Sequence, residues 1–160
     1  MKKVIYIILA LFLVNFYACQ EEVEVDPGET AVLEMSGQWW VREYDDAGNE
    51  LDNWLEAYTY NTASNKKDSM WVEIHDLDKR FKVACNIVTK TFAANQTIDV
   101  LQEETVDVSN GQILMEATKS MGGHVVDSIY FDFSDASGDY VFAGHRFTGF
   151  SEDDPFTAEQ

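Results

Sequence analysis

Serines that directly follow an aspartate are the residues of this sequence best suited to nucleophilic chemistry. Ser69 follows Asp68 and Ser128 follows Asp127, and His145 could complete a Ser-His-Asp arrangement with the second pair. The chain has no Gly-x-Ser-x-Gly elbow, however, and no two histidines at the i, i+4 spacing of a zinc site. We therefore leave the catalytic residues unassigned, expect no metal and no cofactor, and rank an enzymatic activity below a binding function.

The second chemically informative residue is Cys19. It follows the basic Met1-Lys2-Lys3 and an apolar run from Val4 to Val14, which have the order and length of a secretory signal peptide. The residues Phe16-Tyr17-Ala18-Cys19 resemble the lipobox of bacterial lipoproteins, in which the signal is removed ahead of the cysteine that receives lipid. We predict a signal peptide over residues 1–18 and a lipid anchor on Cys19. The alternative is an ordinary signal peptide with Cys19 as an unpaired thiol.

The net charge limits the classes of partner that the exported chain is expected to bind. It is −18 for the whole sequence, and loss of Lys2 and Lys3 with the signal makes it −20, which argues against nucleic acid and anionic surfaces as partners. Lipidation of Cys19 would leave Cys85 without a disulfide partner, so the fold has to depend on its core. Cys85 lies in an apolar strand pattern, and we expect it to be buried and unreactive.

The segment after Cys19 is a candidate tether. Residues 20–28 are polar and acidic and end in Pro27-Gly28, a composition typical of a disordered linker. They are similar to the acidic stretch that marks surface-exported lipoproteins in Bacteroidetes, although a plain spacer has the same composition. We expect a lipidated tether over 19–35, one domain over 36–150 and a tail over 151–160, in an outer-membrane lipoprotein exposed at the cell surface.

The body of the chain has the pattern of an all-β domain. Short runs rich in aromatic and β-branched residues are separated by clusters of Gly, Asn, Asp and Ser. Eight strands are predicted, over residues 38–44, 57–63, 69–75, 80–92, 104–108, 112–118, 125–134 and 139–150. Asn110-Gly111 is the dipeptide of a type I′ turn. We expect a hairpin there that places Val106, Val108, Ile113 and Met115 on one buried face.

The final hairpin has a register that the sequence specifies. A loop over residues 135–138 pairs Phe133 with Tyr140 and Phe131 with Phe142. Continuing the same register brings Asp127 to Arg146, so the apolar face ends in an ion pair.

Residues 51–55 allow two interpretations. Leu51, Trp54 and Leu55 have helical spacing over one or two turns, which could cover a barrel mouth. The same residues could equally continue the first hairpin.

Three patches of sequence carry a family resemblance. They are Tyr58-Thr59-Tyr60-Asn61-Thr62-Ala63 with Asp68-Ser69-Met70-Trp71, Asp127-Ser128-Ile129-Tyr130-Phe131, and Gly144-His145-Arg146-Phe147-Thr148-Gly149-Phe150 with Glu152-Asp153. Together with the lipobox they resemble the Bacteroidetes lipoproteins described as lipid-binding putative hydrolases, which have a lipocalin-like barrel. The resemblance covers nearly the whole chain and, with the strand pattern, implies an eight-stranded antiparallel up-and-down barrel of the calycin type.

A second resemblance concerns how such a barrel closes. Gly37-Gln38-Trp39 and Arg146 are similar to the Gly-x-Trp motif and the distal arginine of the calycin superfamily. In those barrels the first and last strands are neighbours, and the guanidinium covers the tryptophan ring as a cation–π contact. The resemblance implies that Trp39 and Arg146 close one end, with Asp127 orienting the arginine from its other side.

Aromatic residues form 13% of the chain and concentrate in predicted strands. We place Tyr58, Tyr60, Phe131, Tyr140 and Phe142 in the interior as ligand-binding residues, because an apolar cavity with a few hydroxyl groups suits a lipid-like amphiphile. Such side chains could instead fill an eight-stranded barrel as its core. The predicted function is binding of a small hydrophobic or amphiphilic ligand. The alternatives are a protein-interaction module of an envelope complex and, third, a weak hydrolase.

Overall fold

Alternation of apolar and polar side chains along eight extended segments builds a closed barrel. The computed structural model describes residues 30–51 and 53–156, so the predicted signal peptide and Cys19 lie outside the described residues. The strands are β1 (Gly37–Asp45), β2 (Leu55–Asn61), β3 (Ser69–Ile74), β4 (Lys79–Asn86), β5 (Thr91–Asp99), β6 (Glu104–Lys119), β7 (Val125–Asp135) and β8 (Gly138–Arg146). Each strand pairs antiparallel with the next, and β8 returns to β1. The predicted all-β, eight-stranded up-and-down barrel is confirmed and is consistent with a calycin-like fold.

Helical structure is minor in the described chain. It consists of three short 3₁₀ turns, Leu33–Met35, His75–Leu77 and Ser151–Asp153. Within residues 30–51 and 53–156, no helix has the length and apolar character needed to cross a membrane.

The hydrophobic core is the lumen of the barrel. Its side chains come from the inward face of every strand, and Trp39, Phe131, Phe133 and Phe142 have 2% exposure or less. The register of β7 and β8 is the predicted one, with Phe133 opposite Tyr140 and Phe131 opposite Phe142. The aromatic rings of this hairpin therefore meet inside the barrel.

The predicted hairpin at Asn110-Gly111 is wrong, because β6 runs through both residues as one strand. Asn110 has a positive φ of 52°, but it uses this conformation in a β-bulge where the pairing with β7 shifts between Ser109 and Gln112. A Cβ on Gly111 would overlap the ring of Phe92 on β5. The dipeptide thus lets a long strand bend past an aromatic side chain.

A second bulge in β6 corrects the predicted burial of Met115. Pairing with β7 shifts again between Leu114 and Thr118, and Glu116 has a positive φ of 49°. The Glu116 backbone N–H donates to Asp127 Oδ1 at 2.9 Å. The two extra residues of β6 at this irregularity leave Met115 facing outward with 48% exposure, whereas the other three residues predicted for this face are buried.

The predicted strand over residues 80–92 is two strands, β4 and β5, joined by a turn. Asn86 Oδ1 accepts hydrogen bonds from the backbone N–H groups of Val88 and Thr89, which ends β4 in an Asx turn. Lys90 follows with a positive φ of 54°. Residues 87–90 contain neither glycine nor proline, so composition does not mark this turn. The number of strands remains eight because this division offsets the two runs that merge into β6.

The connection from β1 to β2 continues the first hairpin. Tyr44 forms a bridge with Glu50, and the Leu51 backbone N–H donates to the Glu43 carbonyl at 2.9 Å. Leu55 is already the first residue of β2. The described part of this connection therefore favours the hairpin interpretation over the helical one.

Close backbone contact between β1 and β8 completes the barrel at Gly144. This residue pairs with Val41, and an added Cβ would lie 2.7 Å from Val41 Cα and overlap the carbonyl oxygen of Trp40. We call the β1–β8 pairing the seam. Only glycine allows the two backbones to approach in this way.

The up-and-down topology assigns the connections to two ends. The closed end carries the segment before β1, the β2–β3, β4–β5 and β6–β7 connections and the segment after β8; the mouth carries the other four connections. At the closed end, Val32 and Met35 are buried in the core. Beyond β8, Asp153 is buried and Phe156 packs edge-on against Trp40. The packed domain therefore extends past its predicted limits of 36 and 150 in both directions.

Candidate functional site

Phe131 and Phe142 lie in the interior, where they pack against each other. Their rings are stacked with centroids 5.1 Å apart, and Phe133 meets Phe142 edge-on at 5.8 Å. Tyr140 is half-buried near the mouth, with its hydroxyl 3.0 Å from Ser137 Oγ. The centre of the lumen is thus occupied by contacting rings.

Tyr58 and Tyr60 lie on the outer face of β2, which corrects their predicted interior placement. The inward positions of that strand belong to Ala57 and Thr59, which are buried. Trp39 is paired with the small Ala57 and donates from Nε1 to Thr59 Oγ1 at 2.9 Å. A bulky side chain at either inward position would compete with the Trp39 indole for the same space.

Both tyrosines are held on the outside by carboxylates. Tyr58 donates to Glu56 at 2.8 Å and Tyr60 to Glu73 at 2.7 Å. The hydrogen bond to Glu56, with burial, raises the pKa of Tyr58 to about 12. Burial and the hydrogen bond to Glu73 raise the pKa of Tyr60 to about 12. Both phenols are therefore neutral hydrogen-bond donors at physiological pH.

A charged layer covers the core at the mouth. Lys79 Nζ binds Asp135 Oδ2 at 2.8 Å and Glu104 Oε1 at 3.0 Å, and it lies 5.2 Å from the centre of the Phe133 ring. Burial opposes the charged form of Lys79, but the hydrogen bonds to the two carboxylates outweigh it and raise its pKa. Burial likewise opposes ionised Asp135, but the hydrogen bonds from Lys79 and Ser137 lower its pKa.

This layer is expected to make stability depend on pH. Because the pKa of Asp135 is lowered on folding, its stabilising contribution is present above the unfolded pKa of about 3.9 and is lost as pH falls through the folded value. Lys79→Met should lower the free energy of unfolding by about 2 kcal/mol at pH 7, since it leaves two carboxylates unpaired, and by less at pH 3. Urea unfolding at both pH values measures this difference.

Lys82→Met is the matched control for that measurement. Lys82 lies on the same strand but is exposed on the outer face, so a change within about 0.5 kcal/mol is expected at both pH values. An equal effect of Lys79→Met at pH 7 and pH 3 would contradict the role assigned to Asp135.

The closed end contains the contact that the calycin resemblance implies. Arg146 Cζ lies 4.5 Å from the centre of the Trp39 ring. Its Nε donates to Asp127 Oδ2 at 2.8 Å, and its Nη1 donates to the Ser36 carbonyl at 2.9 Å. The structure thus brings Trp39, Asp127 and Arg146 together, and ties them to the segment before β1.

A groove of about 720 Å³ opens at the closed end. Its walls are residues 30–35, the β2–β3 loop and the β4–β5 turn. The apolar lining includes Val32 and Met35, both buried, and Ile87, which is half-buried. Leu33 and Val88 are 58% and 84% exposed. The groove therefore joins the hydrophobic core to two exposed apolar side chains.

Polar groups converge on the same groove. Lys90 Nζ lies 2.6 Å from Glu34 Oε2, and the Ala31 backbone N–H donates to Asn65 at 2.7 Å. The Lys67 side chain is exposed, and no ion pair joins it to any residue of the described ranges. Thr30 Oγ1 is buried and has no hydrogen-bond partner in residues 30–51 and 53–156. The exposed Lys67 ammonium group is therefore available to a ligand here.

The candidate hydrolytic residues are not assembled into a triad. Ser128 and His145 are paired across β7 and β8, but Asp127 points to the opposite face, where it binds Arg146. His145 Nδ1 lies 3.1 Å from the Arg146 carbonyl, and no hydrogen bond joins His145 to Ser128. Among the described residues, no group of three or more His, Cys, Asp or Glu side chains is placed to hold a metal ion.

Sequence reasoning missed Lys79 and the groove residues Leu33 and Val88. Lys79 stands two positions before the buried Phe81, so strand alternation could have placed it inside the barrel. The sequence pattern places Leu33 in the predicted tether and Val88 in the middle of the predicted strand 80–92. Neither position has a local signal, because the groove is formed by segments far apart in the chain.

Comparison with known proteins gives one finding. A family model described as “Lipid-binding putative hydrolase” matches residues 24–151. The match includes all eight strands and the segment that forms one wall of the groove. No curated protein matches the chain significantly.

Proposed function

Since this chain belongs to the family of lipid-binding putative hydrolases, we propose that it is a lipoprotein that binds a small anionic amphiphile in the groove at its closed end. The observation that carries this proposal is the meeting of apolar walls with lysine ammonium groups in one groove. Family membership supports the lipid-like character of the ligand, and the lining of the groove supports its position and charge.

The apolar wall suits the chain of an amphiphile. Leu33 and Val88 expose large apolar side chains on either side of the groove, and Ile87 continues this surface toward the core. Burying the exposed part of such side chains gains roughly 25 cal/mol per Å² of apolar surface. An alkyl chain between these residues would bury surface that is now in contact with water.

The polar groups suit an anionic headgroup. Lys67 has no carboxylate partner in the described chain, and Lys90 lies close by with a partner, Glu34, that is largely exposed. A ligand with one negative charge and an alkyl chain satisfies both parts of the groove.

The packed lumen is the reason for placing the ligand outside it. Phe131 and Phe142 are in mutual contact with no exposure, and the ion pairs of Lys79 cover the core at the mouth. Entry of a ligand through the mouth would require both layers to separate. The groove at the closed end is already open to solvent.

The predicted anchor and tether suggest where the protein is located. A lipid anchor on Cys19 would hold the chain at the outer membrane, and the acidic tether supports exposure at the cell surface. The groove begins at Thr30, the first described residue, so the anchor and the ligand site would lie at the same end of the protein.

Titration with a fluorescent long-chain fatty acid tests the site. Val88→Glu is expected to weaken binding about tenfold or more, because it places a carboxylate against the alkyl chain and near the anionic headgroup. Leu101→Glu is the matched control: Leu101 is 45% exposed at the mouth, and the same substitution there should leave affinity unchanged.

Two results would contradict the proposal. Equal affinity of the wild type and Val88→Glu would place the fatty acid elsewhere. If the wild type does not bind the fatty acid, and an organic extract of the purified protein contains no lipid, then the proposal that the protein binds an amphiphile is wrong.

The packed lumen also supports a second candidate function. A barrel filled by its own side chains is a rigid module that could act through its exterior as an accessory subunit of an envelope complex. Absence of both fatty-acid binding and extractable lipid would favour this candidate.

A further inference from the structure

A shallow trough runs along β5 on the outer wall of the barrel. Two depressions of about 720 and 690 Å³ follow one another along the strand and share Ala84 and Ala93 in their lining. The trough reaches from Thr91 to Thr97, which is about 20 Å of extended chain. No described residue lines both this trough and the groove at the closed end. The trough is therefore a second candidate site, independent of the proposed function.

Small side chains form the floor of the trough. Ala84 comes from β4, Ala93 and Ala94 come from β5, and Gly111 comes from β6. Ala84 and Ala93 are paired across their two strands, and both are exposed on the outer face. The depression is thus built into the wall of the barrel by the residues of three paired strands, and it does not depend on a loop.

Two strand residues in the lining have an unusual backbone conformation. Gln96 on β5 and Asn110 on β6 have positive φ angles of 49° and 52°, each where the strand pairing shifts. This conformation is unfavourable for residues other than glycine, and both it and β-bulges are concentrated at functional sites. Carboxylates hold the two bulges: the Gln96 backbone N–H donates to Asp107 Oδ1 at 2.7 Å, and the Asn110 side chain donates to Asp132.

Side-chain amides and hydroxyls make up most of the polar lining. They are Asn86, Asn95, Gln96, Asn110 and Gln112, with Thr91, Thr97 and Ser109. The side-chain amides of Asn95, Gln96 and Gln112 form no hydrogen bond within residues 30–51 and 53–156. The charged members of the described lining are Lys82 and Asp107, both in the smaller depression. Because an amide both donates and accepts hydrogen bonds, this lining suits a ligand that is uncharged and does the same.

Tyr130 adds an aromatic side chain to the larger depression. It is 42% exposed and is paired with Gln112 on the neighbouring strand. Its hydroxyl donates to Asp132 Oδ1 at 2.7 Å, which holds the ring in place. The face of the ring is an apolar, electron-rich surface on which the C–H groups of a sugar ring can pack. The trough therefore combines an aromatic face with amides that have no partner in the described chain.

We propose that the trough binds a neutral oligosaccharide, with one sugar ring packed on Tyr130 and the hydroxyl groups bonded to the amides and hydroxyls of the lining. Sugar hydroxyls donate and accept hydrogen bonds, so they match side-chain amides without any charge. An acidic ligand would be opposed by the net charge of −18. An extended peptide fits less well, because it binds a sheet by pairing with a free edge, whereas β5 is already paired with β4 and β6.

An array of neutral oligosaccharides, followed by titration calorimetry with the sugar that binds best, tests this site. The wild type is expected to bind at least one sugar of the array. Ala93→Trp should abolish that binding, because the indole fills the floor of the trough. Ala117→Trp is the matched control: Ala117 is exposed on β6 outside the trough, and the same substitution there should leave the affinity unchanged.

Truncations of single side chains separate the contributions and keep the test valid if Ala93→Trp does not fold. Tyr130→Ala should weaken binding about tenfold or more, whereas Tyr58→Ala, which removes a carboxylate-bound tyrosine from β2, should have no effect. Gln112→Ala should weaken binding about threefold to tenfold, the range of one hydrogen bond.

Two results would overturn the proposal. One is the absence of binding to every sugar of the array. The other is a sugar that binds the wild type, Ala93→Trp and Tyr130→Ala with equal affinity, since this sugar would lie outside the trough. Neither result affects the binding of a fatty acid at the closed end, so the two proposed sites are tested separately.

Discussion

Phe131→Ala is expected to lower the free energy of unfolding by about 3–5 kcal/mol. Phe131 has no exposure, and its ring contacts those of Phe92 at 5.7 Å and Phe142 at 5.1 Å. Removing the ring loses the free energy gained by transferring it from water to the core. It also leaves a cavity, which the neighbouring strands can fill only in part because they are fixed in a closed barrel. Urea unfolding followed by tryptophan fluorescence measures the loss.

Phe150→Ala is the control for this prediction. Phe150 is 53% exposed, so its truncation should change the unfolding free energy far less. A loss below about 1 kcal/mol for Phe131→Ala would mean that the lumen has space around this ring. The ligand site would then have to be reconsidered in favour of the interior.

Gly144→Ala is expected to destabilise the barrel by about 3 kcal/mol or more. The new methyl group would meet backbone atoms of Trp40 and Val41 rather than flexible side chains, so the conflict can be relieved only by moving β1 away from β8. That movement weakens the hydrogen bonds of the seam, and overpacking against backbone is at the costly end of its usual range. Thermal unfolding by circular dichroism measures the effect.

Ala143→Gly makes the reverse exchange at the neighbouring position of β8. Its expected cost is about 0.5–1 kcal/mol, from the greater freedom of glycine in the unfolded chain. If the two variants unfold at the same temperature, the seam tolerates a side chain at position 144, and its geometry is looser than the structure shows.

Strand alternation predicts the barrel well, but it does not fix which face of a strand points inward. Tyr58 and Tyr60 lie in a strand, as predicted, yet the interior positions belong to Ala57 and Thr59. The reason is the volume of Trp39 on the neighbouring strand, which pairs with Ala57. That choice depends on a contact between residues of different strands, which the pattern of one strand cannot contain.

Turn residues likewise predict a local backbone conformation but not how the neighbouring strands pair around it. Asn110 adopts the positive φ that an Asn-Gly dipeptide favours, so its local conformation was predictable. Whether that conformation reverses the chain or forms a bulge is decided by the strands on either side, which continue to pair past it. The β7–β8 register, in contrast, was predictable because its loop length and apolar face agree.

The groove at the closed end could not be predicted from any single segment. Its walls come from residues 30–35, the β2–β3 loop and the β4–β5 turn, and only barrel closure brings these together. The contact of Trp39 with Arg146 was accessible from sequence because a family resemblance supplied the pairing of the first and last strands. No comparable motif marks the groove.

The seam has a consequence for how this protein reaches its native state. Seven strand pairs join consecutive strands, whereas the hydrogen bond from Arg146 to Ser36 joins residues 110 positions apart. Contacts of such long sequence separation form slowly, since the entropy of closing the intervening loop must first be lost. A chain exported from its N-terminus would present β1 with one unpaired edge until β8 arrives. Shielding of that edge until β8 pairs with it, by a chaperone or by rapid folding, is therefore a requirement of this topology.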